Sequence, residues 1–365
     1  MTPSADFQLG FLSKLQRIFS EGEFVATYKY ALINSIADLC IDYGTNTGDP
    51  QLVLFKDLGK RFITYYWQQS QPFTAGCNEG AVLLQSHGRQ ASMVSAIRNF
   101  RENFPKQTVN SAPDHPRFPA LLSKVVNTIR AQPVKYLQNI SGAIDPFIFE
   151  PQPSGLILKP GVSFCFRRFH PLITQMARGR WTDHVRGISA NARILGPSDD
   201  LESFMFSTSR QALTSLRAGL MKLQGQCFYC KRKISDGGDV DHFVPFSLYP
   251  RDMVPNFVLA HASCNRSKSN NLASIKHLEN WLDFTSIHRD SLLEISQDAG
   301  VRFDHRGSLS VALWAYQNAS SSGGVAWRSS GDFVTVTAQD VSLLQIRVTD
   351  IAGVNLVQPG NGNGI

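Results

Sequence analysis

The sequence predicts an α+β protein with a mainly helical N-terminal region, a small β element after it, and a short ββα unit further along the chain. Three observations support this fold class. Apolar residues recur at helical spacing through roughly the first 140 residues. The pattern changes at Asp145, where short β-branched and aromatic runs alternate with prolines. Two strand-like runs and a helical run then lie between Cys227 and Asn271.

The composition is that of an ordered protein with more than one domain. The chain has 365 residues, of which 42% are hydrophobic and 18% are charged. Lys and Arg number 36 against 29 Asp and Glu, which gives a net charge of +7 and weakly favours a polyanionic partner. Neither a signal peptide nor an apolar run of about 18 residues is evident. We therefore expect no membrane segment.

The changes of pattern predict four regions. They are a helical domain (1–142), a small β element with a basic helix (143–195), a domain that contains the ββα unit (196–285, core 227–271) and a mixed α/β C-terminal region (286–365). In the first region we predict helices over residues 11–43, 55–69, 83–104 and 118–140. In the second we predict strands over 146–150, 155–159 and 162–169, which would form a small hairpin or a three-stranded sheet, and then a helix from His170 to about Arg186.

Basic residues are concentrated in the second region. Between Lys159 and Arg193 there are seven Lys and Arg and one acidic residue, Asp183. Such a stretch is suited to contacts with a phosphate backbone, and a solvated basic face is an equally good interpretation. The candidate phosphate contacts are Arg167, Arg168, Arg178 and Arg180.

The cysteines indicate a metal site and no disulfide framework. Cys227 and Cys230 form a Cys-x-x-Cys pair, and His261 and Cys264 form a His-x-x-Cys pair. These four side chains are the donors and spacings that tetrahedral zinc uses. The remaining cysteines lie far apart in apolar surroundings and are predicted to be buried thiols: Cys40, Cys77 and Cys165. Metal-binding thiols of this kind favour the reducing cytoplasm.

The 30 residues between the two pairs contain groups suited to hydrolysis. Asp241 lies on a strand predicted over 239–244 and Asn265 follows the last cysteine, so their oxygens could hold Mg²⁺ or Mn²⁺. His242 is a candidate general base. In a fully extended strand Asp241 and His242 point to opposite faces, and a bend would let both serve one site.

Three further residues complete the candidate site. Asn256 is predicted to orient His242 through a hydrogen bond to nearby backbone. Arg266 and Lys268 follow the presumed metal ligand Asn265 and are predicted to meet phosphates.

This segment resembles the HNH endonucleases, in the branch that carries a zinc knuckle. The shared elements are Cys-x-x-Cys (227–230), Val-Asp-His-x-x-Pro (240–245), Asn-Phe-Val-Leu (256–259) and His-x-x-Cys-Asn-x-x-Lys (261–268). The resemblance covers about 45 residues. His261 stands where the family usually has cysteine, and Asn265 where some members have histidine.

The resemblance implies His242 as the general base, Asn256 as the positioning residue, and Asp241 with Asn265 as ligands of the catalytic metal. It also implies structural zinc at Cys227, Cys230, His261 and Cys264. We therefore expect a metal-dependent enzyme that nicks DNA, with RNA a less favoured substrate, in restriction or phage defence. The alternative is a zinc-stabilised nucleic-acid-binding protein without catalysis. The helical N-terminal region could read DNA, restrain the nuclease, bind a partner protein or form a homodimer.

Overall fold

The computed structural model describes residues 2–73, 81–196, 201–207, 210–235 and 237–352. These residues form a helix-rich structure with small antiparallel sheets, which confirms the mixed helix and strand content of the predicted class. The chain divides into two compact units. We call residues 1–40 with 44–207 the N-terminal unit and residues 41–43 with 208–365 the C-terminal unit. The finer division into four regions stays a prediction.

The part of the chain up to residue 207 contains helices α1 to α10 and strands β1 to β5. The helices are α1 (Ala5–Glu21), α2 (Tyr28–Tyr43), α3 (Phe55–Gln69), α4 (Ser92–Asn103), α5 (Phe118–Ala131), α6 (Pro133–Tyr136), α7 (Val162–Arg168), α8 (His170–Gly187), α9 (Ala192–Leu195) and α10 (Leu201–Phe206). The strands are β1 (Gln51–Leu54), β2 (Asn139–Ile140), β3 (Ala143–Ile144), β4 (Phe149–Pro151) and β5 (Gly155–Leu158).

The three-stranded sheet of the N-terminal unit differs from the predicted one. Strands β4 and β5 pair as expected, but the third strand is β1, in the order β1-β5-β4. Residues 162–168, predicted as a strand, form helix α7. Gly161 precedes α7 with a left-handed φ of 80°, and the buried residues Val162, Cys165 and Phe166 follow at helical spacing. A short apolar run fits either element, and here the helical packing prevails.

Two predicted helices of this unit are shorter in the structure. Helix α4 begins at Ser92 instead of residue 83, because the preceding segment bonds elsewhere: the Thr27 N–H donates to the Gln85 carbonyl at 3.0 Å. Helix α5 ends at Ala131, and the chain turns before Pro133, which opens α6. Cys40 and Cys165 are buried as predicted. Cys77 lies outside the described residues.

The C-terminal unit contains the remaining elements. They are α11 (Arg210–Gln224), β6 (Asp239–His242), β7 (Phe257–Ala260), α12 (Ala262–Lys268), α13 (Ile275–Ile287), α14 (Arg289–Ala299), α15 (His305–Ser321), β8 (Val325–Ser329), β9 (Asp332–Thr335) and α16 (Ala338–Ala352). Strands β6 and β7 pair antiparallel, as do β8 and β9. In the described part of the chain, no helix is long and apolar enough to span a bilayer.

Aromatic packing fixes the loop between β6 and β7. The Phe243 ring stacks on Trp281 of α13, with ring centroids 4.9 Å apart and planes 3° from parallel. The Trp281 Nε1–H donates to the Pro255 carbonyl at 2.9 Å. All four residues of β7 are buried. The two strands and the loop between them are therefore anchored to α13 from both ends of the loop.

Candidate functional site

Four side chains from two separate segments converge at one point of the C-terminal unit. Cys227 and Cys230 lie in the turn before β6, His261 caps the amino end of α12, and Cys264 is within α12. One ligand atom from each lies within 4.8 Å of all the others. This cluster, the Cys₃His quartet, is the set that the two sequence pairs predict.

Hydrogen bonds within the quartet and to the Lys233 backbone orient the His261 ring. The His261 ring has Nδ1 3.2 Å from the Cys230 Sγ and Nε2 3.1 Å from the Lys233 carbonyl. The His261 backbone N–H donates to the Cys227 Sγ at 3.4 Å. An imidazole that donates its outer N–H to a carbonyl directs its other nitrogen inward, which is the usual arrangement around a metal-binding histidine.

The pKa values of the Cys230 and Cys264 thiols are shifted in opposite directions. Burial acts to raise the pKa of Cys230, but hydrogen bonds from the backbone and side chain of Arg232 outweigh burial and bring it to about 6. Burial and the charges of Cys227 and Cys230 raise the pKa of Cys264 to about 12. Three thiolates at this separation repel one another, so a cation among them would favour the fully ionised set. Three thiols and one imidazole fit structural zinc, and this cluster could hold that ion.

His242, the predicted general base, ends strand β6 and is partly exposed. Its side chain is 24% exposed, and its Nε2 lies 2.6 Å from the Asp252 Oδ1. The ring also packs on Phe246 and Phe257, with centroids 5.3 and 4.6 Å away. The Asp252 contact occupies Nε2, so Nδ1 is the nitrogen left to accept a proton.

Asn256 joins the two ends of the β6–β7 loop. Its Nδ2 donates to the Val244 carbonyl at 2.9 Å, and its Oδ1 accepts from the Val244 N–H at 2.8 Å. The Asn256 carbonyl also accepts from the Phe243 N–H at 2.7 Å. These bonds hold the backbone just after His242, as expected of a residue that orients the ring through nearby backbone.

Asp241 faces inward and is neutralised by a buried lysine. Its carboxylate lies 3.1 Å from the Lys268 Nζ and accepts from the Tyr229 hydroxyl at 2.6 Å. The Lys268 Nζ also donates to the His242 carbonyl at 2.8 Å. Burial lowers the pKa of Lys268, and the charge of Asp241 opposes that shift. The Lys268 side chain is 0% exposed, so the prediction that it meets a phosphate is wrong.

The two predicted ligands of the catalytic metal have different hydrogen-bonding partners. The Asn265 Nδ2 donates to the Asp239 Oδ2 at 3.3 Å, while Asp241 bonds to Lys268 and Tyr229. Asp239 and Asp241 are two residues apart on β6 and therefore share a face. This face brings carboxylate and amide oxygens close to α12, which is a donor set that suits a hard cation.

Strand β6 is regular through its last residue. Asp241 pairs with Val258 and His242 with Phe257. The bend that would let Asp241 and His242 serve one site is therefore not seen. In the described part of the chain, their side chains have no hydrogen-bonding partner in common. A single centre built on both residues stays a prediction.

The other arginines predicted to contact phosphate fall into a buried group and a group that is exposed or partly exposed. Arg167 is buried and donates to the Cys40 carbonyl at 2.8 Å and to the Asn46 side chain at 3.0 Å. Arg178 is buried and lies over the Phe206 ring. The predicted phosphate contacts of these two arginines are therefore wrong, because both are used inside the N-terminal unit. Arg180 and Arg266 are exposed and Arg168 is partly exposed.

Three residues of the site were missed in the sequence. Asp252 is ten residues from His242 in a loop without periodicity, so no local pattern connects the two. Tyr229 lies inside the Cys-x-x-Cys pair, and its position there gives no sign of its hydrogen bond to Asp241. Asp239 could have been found, because residues two apart on a strand point to the same side.

The segment that carries these residues defines the class of domain. Residues 227–274 match the family model described as HNH endonuclease, which confirms the resemblance seen in the sequence and implies a nucleic-acid substrate. A second model, described as a domain of unknown function (DUF8808), matches residues 8–203. Because this match covers more than half of the chain, the protein belongs to that family. No curated protein and no solved structure matches the chain.

Proposed function

We propose that this protein is a metal-dependent HNH endonuclease that hydrolyses phosphodiester bonds of DNA and nicks one strand at a time. The observation that carries the proposal is the contact between His242 and Asp252. A partly exposed imidazole, fixed at Nε2 by a carboxylate 2.6 Å away, has the arrangement of an oriented general base. It lies within the segment that matches the HNH family.

In this mechanism His242 Nδ1 takes a proton from the water that attacks phosphorus. Asp252 holds the ring and stabilises the imidazolium that forms, while Asn256 fixes the backbone on which the ring is carried. The attack breaks the bond from phosphorus to the 3′ oxygen, which takes a proton from solvent and leaves as a 3′ hydroxyl opposite a 5′ phosphate. The exposed guanidinium of Arg266 is suited to contact a neighbouring phosphate.

Two metals belong to the proposal. Zinc at the Cys₃His quartet would tie the turn before β6 to α12 and complete a ββα-metal core. Asp241 and Asn265, with Asp239 beside them, would hold Mg²⁺ or Mn²⁺. The chemistry that a hard cation would supply there is polarisation of the phosphoryl oxygen and stabilisation of the leaving oxygen. Lys268 donates to the same Asp241 carboxylate and holds it in place.

A nicking assay tests the proposal. Purified wild-type protein with Mg²⁺ or Mn²⁺ is expected to convert supercoiled plasmid to the open circular form. His242→Ala should lower the rate by about 10²- to 10⁴-fold, which is the usual contribution of a general base. His288→Ala is the matched control, because His288 lies in the same unit but outside the segment that matches the HNH family. Cleavage by His242→Ala at the wild-type rate would refute the assignment of the base.

The alternative function predicts a different result in the same assay. A zinc-stabilised binding protein would shift DNA in a gel but leave plasmid supercoiled with every metal tried. RNA oligonucleotides in parallel reactions test substrate class. A role in restriction or phage defence extends the proposal, and plaque counts on cells that express wild type or His242→Ala would check it.

A further inference from the structure

The N-terminal unit contains a cavity that the proposed cleavage does not use. Its volume is about 710 Å³, which is within the range of roughly 300–1,000 Å³ typical of small-molecule sites. The cavity is formed by the loop after α1, the amino ends of α2 and α4, helix α6 and the β2–β3 hairpin. The charges and hydrogen bonds around it indicate what it binds.

Lys29 brings a buried positive charge to this cavity. The residue is 8% exposed, lines the cavity, and makes one hydrogen bond, from its Nζ to the Glu23 carbonyl at 2.6 Å. An ammonium has three donors. In the described part of the chain, no carboxylate lies within ion-pair distance of this one. Burial lowers the pKa of Lys29, and the charge of Glu23 opposes that shift. The Nζ also lies over the Phe24 ring, 5.2 Å from its centroid. The cavity therefore offers a buried cation with no carboxylate in direct contact with it.

Two helix amino ends reinforce that charge. Tyr28 opens α2, Ser92 opens α4, and both line the cavity. The N-cap residues, Thr27 of α2 and Ala91 of α4, make no capping bond with their own side chains. The Tyr28 hydroxyl accepts from the Met93 N–H at 3.3 Å and lies 3.4 Å from the Ser92 Oγ, so the two ends are held together. Each amino end carries roughly half a positive charge, and the pair favours an anion between them.

The rim adds a flat apolar surface and a second cation. Tyr136 lines the cavity and is 42% exposed, and Arg89 lines it and is exposed. Two carboxylates are also present. Glu21 is bound by Arg17, whose hydrogen bonds lower its pKa to about 2, so its charge is already paired. Glu23 is exposed and turns its backbone carbonyl to Lys29.

We propose that this cavity binds a phosphorylated nucleoside, with its phosphate at Lys29 between the two helix ends and its base against Tyr136. The phosphate places an anion in direct contact with the buried ammonium, and the planar base covers the exposed ring. The side-chain amides of Gln132 and Asn139 also line the cavity and can bond the polar edge of a base. A free nucleotide and the phosphorylated end of a DNA strand both have this chemistry. The assignment stands apart from the cleavage chemistry of the C-terminal unit.

Calorimetric titration of the zinc-loaded full chain, without added Mg²⁺ or Mn²⁺, tests the assignment. The probes are the four nucleoside 5′-monophosphates, the matching unphosphorylated nucleosides, inorganic phosphate and a 5′-phosphorylated oligonucleotide. At least one monophosphate or the oligonucleotide is expected to bind, with the unphosphorylated form at least about tenfold weaker, as for loss of a charged hydrogen bond. Binding by monophosphates indicates a free nucleotide, and binding by the oligonucleotide alone indicates a strand end.

Variants link the binding to this cavity. Lys29→Met keeps the apolar stem and is expected to weaken binding by about tenfold or more. Lys60→Met, an exposed lysine on α3, should bind as wild type does. If circular dichroism shows that Lys29→Met is unfolded, Arg89→Gln decides, since Arg89 is exposed. The inference is overturned if no phosphorylated probe binds, if unphosphorylated nucleosides bind equally well, or if the deciding variant keeps wild-type affinity.

Discussion

The buried pair of Lys268 and Asp241 allows a quantitative prediction. Lys268→Met removes the ammonium but keeps a side chain of similar length. It deletes the contacts to the Asp241 carboxylate at 3.1 Å and to the His242 carbonyl at 2.8 Å, and leaves Asp241 with the Tyr229 hydroxyl. Both partners are at most 8% exposed, so water cannot replace the lost donors. Breaking a buried ion pair from one side costs about 3–5 kcal/mol.

Thermal unfolding measures this cost. For a unit of this size about 1 kcal/mol corresponds to roughly 2–4 °C, so the Tm of Lys268→Met should fall by about 6–20 °C. Lys222→Met is the control, because Lys222 is exposed on α11 of the same unit and its loss should cost less than about 0.5 kcal/mol. Differential scanning calorimetry in the presence of zinc makes the comparison.

A double variant separates the unpaired charge from lost packing. Asp241→Asn combined with Lys268→Met removes both charges and should recover about 0.5–3 kcal/mol relative to Lys268→Met alone. A Tm for Lys268→Met within about 2 °C of wild type would refute the reasoning, since that is the scale of an exposed ion pair. So would a double variant less stable than Lys268→Met.

Three other predictions follow. Asp252→Asn should lower kcat for nicking by about 10- to 100-fold with KM unchanged, because it removes the charge that orients His242; an unchanged kcat would exclude that role. Cys264→Ser should lose bound zinc and lower the Tm, whereas Cys165→Ala should keep zinc, as measured by plasma mass spectrometry and calorimetry. Burial lowers the pKa of His184 to about 4 from an ordinary value of 6.5. The unfolded chain therefore binds this proton first, and the stability it contributes is present above pH 6.5 and lost as the pH falls towards 4. His184→Gln should flatten the fall in Tm over that window, and a Tm profile parallel to wild type would contradict the assignment.

Elements whose sequence carried a long, regular pattern were predicted well. Helix α3 occupies residues 55–69, as its amphipathic spacing indicated. Strand β1 was missed because it has four residues and pairs with β5 about a hundred positions later. The sequence of helix α7 fits a strand as well as a helix, because a run of seven largely apolar residues is too short to reveal its period. Elements that depend on long-range pairing or on a short run of residues could therefore not be predicted from the sequence.

The candidate site divides in a similar way. The Cys₃His quartet follows from spacing alone, because two short pairs are each constrained by local geometry. The partner of His242 could not be predicted, since Asp252 reaches it only after the β6–β7 loop has folded against α13. The burial of Lys268 could not be predicted, because lysines are mostly exposed and its partner Asp241 lies 27 residues earlier in the chain.

Helix α12 has seven residues, fewer than two full turns. A segment of that length has almost no helical stability of its own in water. The positions of Asn265 and Lys268 thus depend on the contacts that hold Cys264 and His261 in the Cys₃His quartet at the start of the helix. Loss of activity in a cysteine variant of this protein would consequently indicate loss of folded structure. Chelation experiments should therefore measure folding before they measure cleavage.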